Sequence, residues 1–135
     1  MNLSGIHHIA IICSNYERSK YFYTKVLGLK IVRETFREAR KSYKLDLSFT
    51  DGSQIELFSF PNPPSRPSRP EAQGLRHLAF KVPNLDSCVM ELNKKNIEVE
   101  PIRMDCLWSF MKANWRYINF LTLFSTSKPS DFLIN

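Results

Sequence analysis

The sequence predicts an α+β fold built on an internal duplication of a strand–cap–helix unit. The run His8-Ile9-Ala10-Ile11 returns as His77-Leu78-Ala79-Phe80, at an offset of 69 residues, and self-similarity at a fixed offset marks a repeated structural unit. The same offset carries Asn15 onto Asn84, and each asparagine precedes a stretch whose apolar residues recur at helical spacing. Between the two copies lie segments that alternate polar and apolar residues, the pattern of half-buried strands.

The elements follow in order. Ile9, Ile11 and Cys13 share one face of a first strand, under the helix, and Ile6, His8, Ala10 and Ile12 share the other. A helix is expected over Tyr16–Leu27, capped by Asn15 and ended by Gly28, with Phe22, Val26 and Leu29 as its apolar stripe. Strands are expected at Lys30–Phe36, Tyr43–Phe49 and Gln54–Phe60, the last two joined through the Asp51-Gly52 turn. Residues 4–60 thus read as a first βαβββ module. Residues 61–73 are proline-rich (Pro61-Asn62-Pro63-Pro64 through Pro67 and Pro70), an extended linker without ladder donors. Residues 74–105 begin a second module, with a strand at Leu75–Val82, a helix at Leu85–Lys95 striped by Leu85, Val89 and Leu92, and a strand at Ile97–Glu100.

With 135 residues, 43% hydrophobic and 24% charged, the chain is expected to form a single globular domain and not a disordered tail. No apolar run reaches the length of a membrane span, and the first residues lack a secretory pattern. The three cysteines, Cys13, Cys88 and Cys106, make neither an even framework nor a CxxC pair, so a reducing compartment, the cytoplasm, is expected. A net charge of +6 favours acidic metabolites. The basic residues are scattered and no nucleic-acid motif accompanies them, so neither nucleic acid nor membrane is an expected partner.

The polar residues set into strands are the candidates for chemistry. His8 and His77 occupy equivalent positions on the faces turned away from the helices, and parity selects His8 over His7. Glu56 sits between Ile55 and Leu57, where burying a carboxylate is costly without a partner. Two imidazoles and one carboxylate converging across a sheet form a set of divalent-metal ligands. The competing reading makes each histidine an ordinary hydrogen-bonded residue and Glu56 a rim carboxylate paired with Arg37 or Arg40.

Four motifs then stand at characteristic spacings: Ile6-His7-His8-Ile9-Ala10-Ile11, Phe22-Tyr23-Thr24-Lys25-Val26-Leu27-Gly28-Leu29, Ile55-Glu56-Leu57, and Gly74-Leu75-Arg76-His77-Leu78-Ala79-Phe80. Over residues 1–105 the chain resembles the vicinal oxygen chelate superfamily, the glyoxalase I-like fold. Glu56-Leu57-Phe58-Ser59-Phe60-Pro61 with the Arg66-Pro67-Ser68-Arg69-Pro70 run and Arg76-His77 looks like its YaeR-like subgroup. The resemblance implies two βαβββ modules forming a cupped mixed sheet around a metal held by His8, Glu56 and His77. It also implies a homodimer whose sites draw on modules of two chains.

The family's fourth ligand, a glutamate on the last strand, is missing. The offset places it at Ser125, and no glutamate follows Glu100. Read from the third base of the Cys106 codon, with suitable synonymous codons, the stretch from Cys106 to Asn114 encodes Phe-Met-Glu-Phe-Tyr-Glu-Gly-stop, an ending of the family's type. Residues 106–135 are therefore expected to be an atypical, out-of-frame tail that leaves the second module incomplete, with Trp115–Phe124 available as a replacement strand.

The resemblance implies a glyoxalase-like, metal-dependent lyase or isomerase acting on a small substrate with vicinal oxygens through a metal-stabilised enediolate, with Glu56 as ligand and catalytic base. The missing fourth ligand puts the activity in question. The cofactor expected is a divalent ion: Ni, Co, Zn, Mn or Fe. Arg37, Arg40 and Arg76 are candidates to bind an acid group of the substrate. Two other readings remain: an Fe(II) extradiol-type dioxygenase, because two histidines and a carboxylate also make a facial triad, and a metal-free small-molecule binding or resistance module.

Overall fold

The computed structural model describes residues 1–65, 70, 73–75, 78–97, 99 and 116–119. The chain divides into two units, Met1–Ser65 and Arg66–Asn135.

In the first unit, β1 (His8–Cys13) leads into α1 (Tyr16–Tyr21), which continues as a π-helical turn over Phe22–Val26. Then come β2 (Lys30–Arg37), a 3-10 turn at Glu38–Arg40, β3 (Ser42–Ser48) and β4 (Gln54–Ser59). The strands form one mixed sheet in the order β1-β4-β3-β2, with β1 parallel to β4 and the other pairs antiparallel. This is an α+β arrangement in βαβββ order.

Local chemistry explains the boundaries. Asn15 caps α1 by accepting the Arg18 N–H at 3.0 Å. The helix expected to run unbroken to Leu27 instead widens: Leu27 N–H reaches back five residues to the Phe22 carbonyl, and Thr24 Oγ1 donates to the Lys20 carbonyl. The wider turn buries Phe22, Tyr23, Val26 and Leu29 together. Gly28 ends it at φ +77°, a left-handed conformation that a side chain would strain. At the β3–β4 turn, the Asp51 carboxylate accepts the Ser53 N–H, and Gly52 supplies φ +87°.

The core lies on one side of the sheet. Leu45, Leu47, Ile55 and Leu57 have at most 1% of their surface exposed. Tyr16 of α1 stacks on Tyr43 with ring centroids 4.4 Å apart. Its hydroxyl donates to Glu34 Oε1 at 2.6 Å, and Lys20 Nζ pairs with the same carboxylate. A bulge between Ile31 and Arg33 changes the parity of β2. It sets Arg33 across from Asp46 on the open face and Glu34 across from Leu45 on the helix face.

In the second unit, β5 (Ala79–Val82) precedes α2 (Leu85–Lys94), and the backbone of β6 (Arg116–Asn119) pairs antiparallel with β5. Asn84 caps α2 by accepting the Ser87 N–H at 2.9 Å, as Asn15 does for α1. Leu85, Leu92 and Ile97 are buried. The strand expected from Leu75 begins at Ala79. Arg76, His77, residues 66–69 and 71–72 of the linker, residues 98 and 100 of the expected strand at Ile97–Glu100, and the tail apart from 116–119 lie outside the described residues. No described helix is long and apolar enough to cross a membrane.

Candidate functional site

The open face of the first sheet carries the candidate residues. The Gln54 N–H donates to the His7 carbonyl at 2.9 Å, opening the parallel ladder. From there His8 pairs with Gln54, Ala10 with Glu56 and Ile12 with Phe58. On β3, Ser48 lies across from Gln54, Asp46 across from Glu56 and Lys44 across from Phe58. His8, Glu56, Phe58, Asp46 and Lys44 therefore share the face away from α1.

His8 Nε2 lies 3.8 Å from Glu56 Oε2. Its Nδ1 meets His7 Nδ1 at 2.9 Å, so one ring donates the hydrogen and the other accepts it. The tautomer in which His8 donates leaves its Nε2 lone pair turned toward Glu56. Here His7, which parity turns from the ligand position, acts instead on His8.

Glu56 does not pair with Arg37 or Arg40. Its Oε1 accepts a hydrogen bond from Lys44 Nζ at 2.6 Å, and the same ammonium donates to Asp46 Oδ1. Arg33 Nε approaches Asp46 Oδ2 at 3.4 Å. Burial would raise the Asp46 carboxyl, but Lys44 and Arg33 outweigh it and hold it below its ordinary value. Asp46 and then Glu56 raise the Lys44 ammonium above its own. Arg37 lies on the same face, its guanidinium 5.7 Å from the Phe58 ring centroid. Arg40 is exposed in the 3-10 turn beyond β2. Lys44 and Asp46 are not among the residues expected at the site, although along Tyr43–Phe49 the polar Lys44, Asp46 and Ser48 alternate with apolar residues and so share one face.

An imidazole nitrogen and a carboxylate oxygen are suitable donors for a divalent ion. Their 3.8 Å separation is inside the span of about 4.2 Å that two metal–ligand bonds reach. Among the described residues no group of three or more His, Cys, Asp or Glu side chains is placed to hold a metal. The third predicted ligand, His77, and the predicted substrate contact Arg76 lie outside those residues.

Residues 5–121 match the Glyoxalase/Bleomycin resistance protein/Dioxygenase superfamily. The chain belongs to this superfamily. It is 63% identical to YwkD of Bacillus subtilis (strain 168) over 107 residues, which cover 79% of this chain and 84% of YwkD. It is 52% identical to YaeR of Escherichia coli (strain K12), over 78% of this chain and 81% of YaeR. A crystal structure of a glyoxalase family protein from Enterococcus faecalis superposes with a TM-score of 0.71 at 45% identity, over 76% of this chain and 81% of that one. More distant structures share the fold. FosX, a fosfomycin resistance protein of Listeria monocytogenes, crystallised as a mutant with Mn(II) and 1S,2S-dihydroxypropylphosphonic acid, gives a TM-score of 0.57 at 16% identity. The trypanothione-dependent glyoxalase I of Leishmania major gives 0.56 at 18%. The superfamily match runs past residue 105, where the sequence motifs stop.

Proposed function

We propose that this chain is a glyoxalase-type, metal-dependent lyase or isomerase acting on a small molecule with vicinal oxygens. What supports the reading most is the placement of His8 Nε2 and Glu56 Oε2 on one sheet face, 3.8 Å apart, in a member of this superfamily. His8 and Glu56 would hold a divalent ion (Ni, Co, Zn, Mn or Fe) together with His77. Such an ion, when bound, stabilises negative charge developing on adjacent substrate oxygens. Glu56 would help to hold the ion and would accept the carbon-bound proton of the substrate on its carboxylate. Arg37, Arg40 and Arg76 present guanidinium groups to an acid group of the substrate. The working form is a cytoplasmic homodimer, in which modules of two chains complete each site.

One observation favours a second reading, a metal-free binding module: an ammonium already neutralises Glu56. Metal content separates the two. Mass spectrometry of the purified, metal-reloaded protein is expected to find about one divalent ion per site, lost in both Glu56→Ala and His77→Ala. Stoichiometric metal retained in both variants ends the metalloenzyme reading, and a wild-type protein that takes up no metal leaves the binding module.

A further inference from the structure

The arrangement of Lys44 deepens the proposed function and rests on it. Asp46 and Glu56 are directly opposed on neighbouring strands, where two carboxylates repel each other. Lys44 Nζ bridges them, at hydrogen-bonding distance from both. The three side chains are largely enclosed, with 13% of Lys44, 8% of Asp46 and 21% of Glu56 exposed. Enclosure weakens solvent screening, so the ammonium and a divalent cation cannot both sit against the Glu56 carboxylate without strong repulsion. A lysine that lost its only partner would resist that exchange. Lys44 has a second partner ready, because Asp46 already accepts a hydrogen bond from it.

We propose that Lys44 is a tethered counter-ion that competes with a divalent cation for Glu56 and passes wholly to Asp46 when the cation takes that carboxylate, so that the Lys44–Asp46 pair sets the metal affinity of the site. The transfer breaks one charged hydrogen bond, keeps another, and frees Glu56 Oε1 from the ammonium. Lys44 is in this sense a positioning residue.

The test is calorimetric titration with Mn(II), and separately with Ni(II), of wild type, Lys44→Gln, Asp46→Asn and the double variant, each checked for folding by circular dichroism. Lys44→Gln removes the competitor and is expected to tighten binding about tenfold, equivalent to about 1.4 kcal/mol. Asp46→Asn removes the alternative partner and is expected to weaken binding. The Lys44→Gln gain should be larger in the Asp46→Asn background than in wild type, because there the ammonium has no second carboxylate to accept it. Unchanged or weaker binding in Lys44→Gln overturns the proposal, and strictly additive effects reduce Lys44 to one charge among others and overturn the transfer. A wild type that binds neither ion, like Glu56→Gln measured beside it, sinks the metalloenzyme reading itself. Binding that depends on Glu56 but ignores Lys44 sinks only the role of Lys44.

Discussion

Glu34 links the helix to the sheet edge through charge. It accepts from the Tyr16 hydroxyl and from Lys20, and the Lys20 ammonium, with Tyr16 second, lowers its carboxyl below the ordinary value. Burial and then the Glu34 carboxylate raise the Tyr16 phenol. A carboxyl lowered in the folded state stabilises fully above its unfolded value, about 4.3 for glutamate, and that stability is lost as pH falls through the folded value. Asp46 contributes with the same sign. Thermal unfolding should therefore be flat from neutral pH to about 5 and then fall steeply with acidification. Glu34→Gln should cost on the order of 1 kcal/mol at pH 7 and flatten the acid limb. An unaltered acid limb would show that this carboxylate is not held by its partners. At this scale the sequence was informative about direction and not about pairing. Strand parity put His8 and Glu56 on one face, but that Lys44, and not an arginine, reaches Glu56 depends on which rung lies across and on Arg37 extending over Phe58.

The caps are the most legible feature among the elements. Asn15 and Asn84 stand at the repeat offset, and both accept the N–H three residues on. Asn15→Ala should lower stability by about 1 kcal/mol, read from denaturant unfolding, whereas Asn15→Asp keeps an acceptor and should stay close to wild type. Equal losses in both would mean that the side-chain acceptor does not hold the start of α1. Two departures were not legible. The π-helical turn is set by tertiary packing of Phe22, Tyr23, Val26 and Leu29, which spacing alone renders as an ordinary helix. The bulge in β2 inserts one residue and reverses which side chains face the core. Uninterrupted alternation would have put Arg33 and Glu34 on the wrong faces, and with them both ion pairs.

At the scale of the whole molecule, the duplication is visible in the strand–cap–helix order of both units, and the superfamily match spans both. Among the described residues the strand pairings of the two units differ. In the first unit β1 pairs with a parallel strand, whereas β5 in the second pairs with the antiparallel β6, within the segment from Trp115 expected to fill the gap. Once residue 106 is passed, the tail carries no glycine and no glutamate, so neither the family's closing turn nor its fourth ligand can be read from it. The proposed site joins one residue of each repeat, His8 and His77, with Glu56 around a single ion. X-ray absorption at the edge of the bound metal tests this most directly. Two imidazoles are expected in the coordination shell of the wild-type protein; a shell with one imidazole or none would contradict it.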